Sequence, residues 1–194
     1  MRITGGRARG HRLVTPGTRF SGIRPTSDRI REALFSILDR KVRDALVLDL
    51  FAGTGALGME ALSRGARHCV FVDRSARALD LIRTNLQRCF PNPAASVFRG
   101  DLTRPGTLAG LAARMPGELL FDLVFLDPPY KKNLAQQALE MVDKPGILAP
   151  GAMVVAEEER TQELPEALTR LRLIDRRRYG GTGLWIYSHG PYSR

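Results

Sequence analysis

A chain of 194 residues is long enough for one well-packed domain and short for two, and its 43% apolar content fits a globular protein. No run approaches the roughly 18 to 20 apolar residues that span a bilayer, and the start, MRITGGRARG, carries charge without an apolar segment behind it, so a cytoplasmic protein with no membrane partner is expected. The net charge of +10 points to a polyanionic partner. Cys69, Cys89 and the scattered His11, His68 and His189 match no ligand spacing, so no metal centre is expected and both thiols read as reduced and buried.

Charge is concentrated at the beginning. Residues 1–27 hold six arginines (Arg2, Arg7, Arg9, Arg12, Arg19 and Arg24) and no acid, a distribution that suits a nucleic-acid surface. Within residues 1–25, strand-like pieces at Arg2 to Thr4 and His11 to Val14 flank a glycine-rich stretch and form a short basic β-hairpin or arm. Over 26–40 the N-cap candidates Thr26, Ser27 and Asp28 precede Ile30, Ala33, Leu34, Ile37 and Leu38, whose spacing predicts an amphipathic helix. Its outer face is expected to carry Arg29, Arg31, Glu32 and Arg40.

From residue 45 onward strands and helices alternate. Strands are predicted at 45–50, 68–72, 96–98, 121–126 and 152–156, with helices at 56–64, 76–88, 108–114 and 134–142 between them. Such alternation requires crossover connections and gives an α/β, Rossmann-like, doubly wound and mainly parallel sheet. Residues 171–178 and 184–187, parted by Gly180-Gly181-Thr182-Gly183, read as an antiparallel hairpin on its edge and bring the sheet to seven strands. Residues 1–194 are thus expected to form a single domain, with 45–194 as its catalytic core.

Two stretches carry chemistry, together with acids at two further strand ends. Val47 to Gly58, VLDLFAGTGALG, is a strand, a glycine turn and a helix start, in which Gly53 and Gly55 let the backbone approach a ligand closely. Together with Gly58, and with Asp73 twenty residues beyond Gly53, this spacing also satisfies a dinucleotide pattern. Asp49 separates the two possibilities, because a carboxylate just before the turn disfavours a pyrophosphate and suits a cationic ligand. S-adenosylmethionine has an ammonium and a sulfonium for that position, a ribose for Asp73 and an adenine amino group for Asp101. Phe51 either backs that cofactor or fills core. Phe121 to Tyr130, FDLVFLDPPY, is a buried strand stopped by two prolines, which hold the Asp127 carboxylate, the Pro128 carbonyl and the Tyr130 ring in fixed relation. Two acceptors and a flat ring suit a planar base with an exocyclic amino group; otherwise Asp127 simply caps the next helix. Asp49, Asp73, Asp101 and Asp127 all fall at strand ends that open on one crevice.

LDLFAGTGALG, FVD and LDPPY resemble the motifs of class I S-adenosylmethionine-dependent methyltransferases that modify exocyclic amino groups. RITGGRARGHRL and IRPTSDRIREALFSIL, with ALSRGA and YGGTGLWIY, resemble the bacterial 16S ribosomal RNA guanine-N2 methyltransferase family of the RsmD type, over nearly the whole chain. The resemblance implies the class I methyltransferase fold and methyl transfer from S-adenosylmethionine, leaving S-adenosylhomocysteine, to N2 of one guanine in 16S ribosomal RNA. The substrate is then expected within a small ribosomal subunit or its assembly intermediate, and the enzyme as a monomer without a metal. Asp127 and Pro128 would accept from the amino group and Tyr130 would stack on the base, so the ring rather than the hydroxyl should matter. Arg24, Thr26 and Arg29 match the family's RPT-D-R stretch and would help to close the pocket, Arg24 and Thr26 toward the cofactor and Arg29 toward RNA. Arg2, Arg7, Arg9 and Arg12 would meet RNA phosphate. The alternatives are a DNA adenine or cytosine amino methyltransferase, a dinucleotide oxidoreductase and a non-catalytic ribosome-assembly factor.

Overall fold

The computed structural model describes residues 1–15, 27–104, 106–114, 120–130 and 133–190. Its strands are β1 (Leu46–Leu50), β2 (His68–Asp73), β3 (Ala95–Arg99), β4 (Phe121–Leu126), β5 (Leu148–Glu159), β6 (Leu171–Tyr179) and β7 (Thr182–His189). They form a seven-stranded sheet in the order β3-β2-β1-β4-β5-β7-β6. The pairs from β3 to β5 are parallel, and β7 runs antiparallel to both β5 and β6. The expected edge hairpin is therefore present, folded inward: β7 lies between β5 and β6, and β6 is the edge.

Helices cover both faces, which is why β1 is buried at all five positions and reads as a continuous apolar run broken only by Asp49. On one side α1 (Asp28–Leu38), α2 (Ala56–Ser63) and α3 (Ala76–Cys89) pack a core that includes Phe35, Phe71, Phe125 and Ile186. On the other, α4 (Thr107–Ala112) and α5 (Leu134–Val142) meet Leu48, Val124, Trp185 and Tyr187. The strand order reverses at β1, which has β2 and β3 on one side and β4 and β5 on the other, so the crevice beyond the carboxyl ends of these parallel strands is the ligand position of this topology.

Two expectations need correction. Strand β5 starts at Leu148, four residues before the predicted Ala152, because its pairing with β4 shifts register around Pro150 and Gly151 and hides the alternation there. Arg31, expected on the outer face of α1, is fully buried. Its guanidinium pairs at 3.3 Å with Glu60, which is equally buried, and at 2.9 Å with Asp28, and it also donates to the Arg2 carbonyl. Compensation by two carboxylates is what makes burial of this cation tolerable. A count of apolar positions cannot foresee such a pairing.

The N-terminal segment closes through a single bridge, Arg2 to Arg12, with Ile3 and Leu13 turned into the core. It is fastened to α2. The Thr4 and Gly5 amides donate to Glu60, the Ala8 amide to the Ser63 hydroxyl, and the Arg7 amide to the Ser63 carbonyl. Gly6, at φ +75°, lies so close that a Cβ there would sit 1.9 Å from the Ser63 oxygen.

Candidate active site

The carboxyl ends of β1, β2, β3 and β4 supply the four acids in the spatial order Asp101, Asp73, Asp49, Asp127. Leu50 is level with Val72 and with Leu126, so the turns after β1 and β4 leave the sheet side by side. After β1 the backbone turns through Phe51 at φ +59°, Gly53 at +53° and Gly55 at +77°, which caps α2. A left-handed phenylalanine is uncommon, and such backbone persists only where its surroundings hold it. Phe51 packs half-buried against the α4/α5 core, and the Ala52 amide donates to the Val72 carbonyl.

Asp73 closes the turn from the next strand. One carboxylate oxygen accepts from the Gly53 amide at 3.0 Å and the other from the Ser75 amide at 2.8 Å. Each carboxylate oxygen accepts more than one bond, so this geometry fixes Asp73 while leaving capacity for ribose hydroxyls.

Asp49 does different work from its neighbour. It is buried, 1% exposed, and accepts from the Gly58 amide at 2.9 Å in the first turn of α2, the bond that Gly55 has no side chain to provide. Burial pushes its pKa from the ordinary 3.8 up to about 8; the Gly58 bond opposes the rise and the Asp73 charge adds to it. Gly58 permits the close approach of α2 to β2, since a Cβ would lie 2.3 Å from the Phe71 ring. Asp101 accepts from the Thr103 hydroxyl and amide, and the hydroxyl bond is the largest of the influences that set its pKa below the ordinary range. A strand-end turn and a ligand contact are compatible uses of this carboxylate.

Asp127 follows the last residue of β4 and is half-buried; Pro128 is buried and Pro129 exposed. The helix that follows takes its N-cap from Asn133, so Asp127 is not that cap. Tyr130 is half-buried, and its hydroxyl is engaged: it donates to Glu157 at 2.8 Å and lies 3.0 Å from the Thr182 hydroxyl. Burial and the Glu157 charge push the phenol pKa up, so it stays a donor. The expectation that only the ring matters loses its physical ground here.

Among the candidate RNA contacts, Arg2, Arg7, Arg9, Arg12 and Arg29 are exposed. Arg7 lies over the Phe90 ring at 5.2 Å and Arg2 is 3.7 Å from Asp28. Arg24 and Thr26 lie outside the described residues. Among the described residues no group of three or more His, Cys, Asp or Glu side chains is arranged to hold a metal, and no helix is long and apolar enough to cross a membrane.

Glu60, Asn85, Glu157 and Thr182 were not singled out in the sequence. Asn85 joins the Val14 backbone to the Thr54 carbonyl of the glycine turn, so the N-terminal segment and the turn share a support. Glu60 had a visible signal, a lone acid in the otherwise apolar and small ALGMEALS helix. Glu157 and Thr182 had none, since their partner is 27 or 52 residues away.

The strand order, the glycine turn after β1 and the acid ending β2 define a class I methyltransferase fold. A family model described as Conserved hypothetical protein 95 matches residues 1–188, and the chain belongs to that family. It is 38% identical over 188 residues to a putative rRNA methyltransferase, YlbH, of Bacillus subtilis, covering 96% of this chain and 98% of the relative. It is 34% identical to ribosomal RNA small subunit methyltransferase D of Escherichia coli, over 85% and 78% of the two chains. A solved structure of a putative methyltransferase, yhhF, from Escherichia coli superposes with a TM-score of 0.81 at 29% identity, covering 97% of both chains.

Proposed function

We propose that the protein is an S-adenosylmethionine-dependent ribosomal RNA methyltransferase that modifies the exocyclic N2 amino group of a guanine in 16S ribosomal RNA. The first half of this reading follows from family membership and from relatives that carry that activity in their names. The finer half rests on one observation: the Asp127-Pro128-Pro129-Tyr130 turn leaves the sheet directly beside the glycine turn, from the neighbouring strand at the same level.

The residues present fit the cofactor. Gly53 and Gly55 leave two positions of the turn without side chains, Asp73 has acceptor capacity for ribose hydroxyls, and Asp101 is at the adjacent strand end for the adenine amino group. Asp49 is buried, accepts from the Gly58 amide and holds its proton at neutral pH, so the charge expected to oppose a pyrophosphate is not there; it is the rRNA methyltransferase relatives that argue against a dinucleotide. S-adenosylmethionine, when bound, supplies an electrophilic methyl group on a sulfonium.

The chain's own task is to present the amine. The lone pair of an exocyclic amino nitrogen is delocalised into the base, so the nitrogen is a weak nucleophile. Asp127 and the Pro128 carbonyl accept from its two N–H groups, direct the lone pair toward the donor and stabilise the positive charge that develops on nitrogen. Asp127 then lies within reach of the proton to be lost. The Tyr130 ring stacks on the base, which must leave its neighbours to enter a recessed site.

The test is transfer from radiolabelled S-adenosylmethionine to free 16S RNA, to small-subunit particles and to duplex DNA offered separately. Label in one of the ribosomal substrates is expected. Label in DNA alone would favour an amino methyltransferase of DNA, and binding of a nicotinamide cofactor in preference to S-adenosylmethionine would favour an oxidoreductase.

A further inference from the structure

The YGGTG stretch of the C-terminal hairpin has no part in the mechanism above, yet it touches that mechanism at one point. Glu157 and Thr182 both lie at the carboxyl end of β5 and the start of β7. Glu157 is level with Leu184, and Glu159 with Thr182. Both side chains are buried, at 5% and 9% exposure, and both meet the Tyr130 hydroxyl.

The direction of these bonds follows from inventory. An ionised carboxylate only accepts, so the phenol proton goes to Glu157; the Thr182 hydroxyl must then donate to the phenol oxygen. Two bonds to one oxygen, from two strands, fix both the tilt and the position of the ring. At the other end of the same turn, Leu126 is held in the ladder level with Leu50 and Ala156. Asp127, Pro128 and Pro129 are therefore strung between two anchored points, and two of the three have fixed φ.

We propose that Thr182 and Glu157 are positioning residues for the incoming base: they hold the Tyr130 ring, and through it the Asp127-Pro128 acceptors, in the geometry that meets the amino group. The C-terminal hairpin is thereby part of the substrate half of the site, although neither residue touches substrate. The inference rests on the base-stacking reading of Tyr130 given above. Preorganisation of this kind is costly to lose, since misplacing a reacting group by about 1 Å can cost on the order of 100-fold in rate.

The experiment compares wild type with Thr182→Val, Tyr130→Phe and their double variant, and adds Glu157→Gln, which keeps an acceptor for the phenol. Thr182→Val and Tyr130→Phe are each expected to lower kcat on the RNA substrate by about tenfold, with S-adenosylmethionine affinity within twofold. The double variant should be no slower than Tyr130→Phe, because Thr182 acts through the hydroxyl that Phe lacks. Glu157→Gln should retain most of the rate. Hydrogen exchange in the peptide carrying Tyr130 should quicken in Thr182→Val. Additive losses in the double variant, unchanged kcat in Tyr130→Phe, or unchanged exchange in Thr182→Val would each overturn the proposal. A wild-type protein that methylates no RNA would overturn it together with the reading it rests on, and that outcome is seen before any substitution is made.

Discussion

Asp49 and Asp127 are two carboxylates on adjacent strands with opposite environments. Asp127 is half-buried at the mouth of the crevice, while Asp49 is sealed behind the glycine turn and bonded to an amide of α2. Asp127→Ala is expected to reduce methyl transfer by at least about 100-fold while leaving cofactor affinity nearly intact; single-turnover kinetics with calorimetric titration of S-adenosylmethionine checks both halves. Asp49 predicts a pH effect. Its pKa lies at about 8 in the folded chain against an ordinary 3.8, so between those values the folded state holds a proton that the unfolded state has lost. Raising pH through that window therefore removes stability, and the loss is complete once the pH passes the folded pKa. Thermal melts of wild type and Asp49→Asn between pH 5 and 9 should show this decline in the former and a flatter curve in the latter.

At the scale of elements, α1, α2 and the N-terminal segment are joined through one buried acid. Glu60 receives Thr4, Gly5, Arg31 and Arg64. Removing it in Glu60→Ala leaves the Arg31 cation buried with Asp28, at the rim, as its remaining acidic partner among the described residues, a change expected to cost about 3 to 5 kcal/mol in urea unfolding and to expose the N-terminal segment to proteolysis. This junction also marks the limit of what could be read from sequence. The periods of β1, β2, β4, α3 and α5 located those elements to within a residue or so, because each buries a regular apolar stripe against the layer beside it. The four strand-end acids were legible for the same reason: knowing where a strand stops places its last side chain at the crevice. What stayed hidden were pairings across sequence distance. Arg31 looked like a surface residue, Tyr130 like a bare ring and the YGGTG turn like a plain connection, since each depends on a partner supplied by another strand or helix.

Taken as a whole, the molecule fastens its basic segment to α2 and, through Asn85, to the glycine turn, while the Asp127 to Tyr130 turn leaves the neighbouring strand at the same level as that turn. The exposed Arg9, Arg12 and Arg29, with Arg2 and Arg7, lie on α1 or on the segment that is hydrogen-bonded to α1 and α2. A basic surface fastened in this way can orient a large anion relative to the crevice, which a loose arm cannot do. Neutralising Arg2, Arg7, Arg9 and Arg12 together should weaken RNA binding and flatten its dependence on salt by about 0.7 log units per lost single-stranded contact, read from binding isotherms across a salt series. An unchanged slope would mean that these side chains meet no phosphate.

The most direct test of the central claim is the chemical identity of the modified nucleoside. Small-subunit particles from cells lacking this protein, incubated with the purified enzyme and labelled S-adenosylmethionine, would be digested to nucleosides and resolved by mass spectrometry. The account predicts label in N2-methylguanosine from 16S RNA, absent with Asp127→Ala. Label in any other nucleoside, or a full yield of N2-methylguanosine from Asp127→Ala, would contradict it.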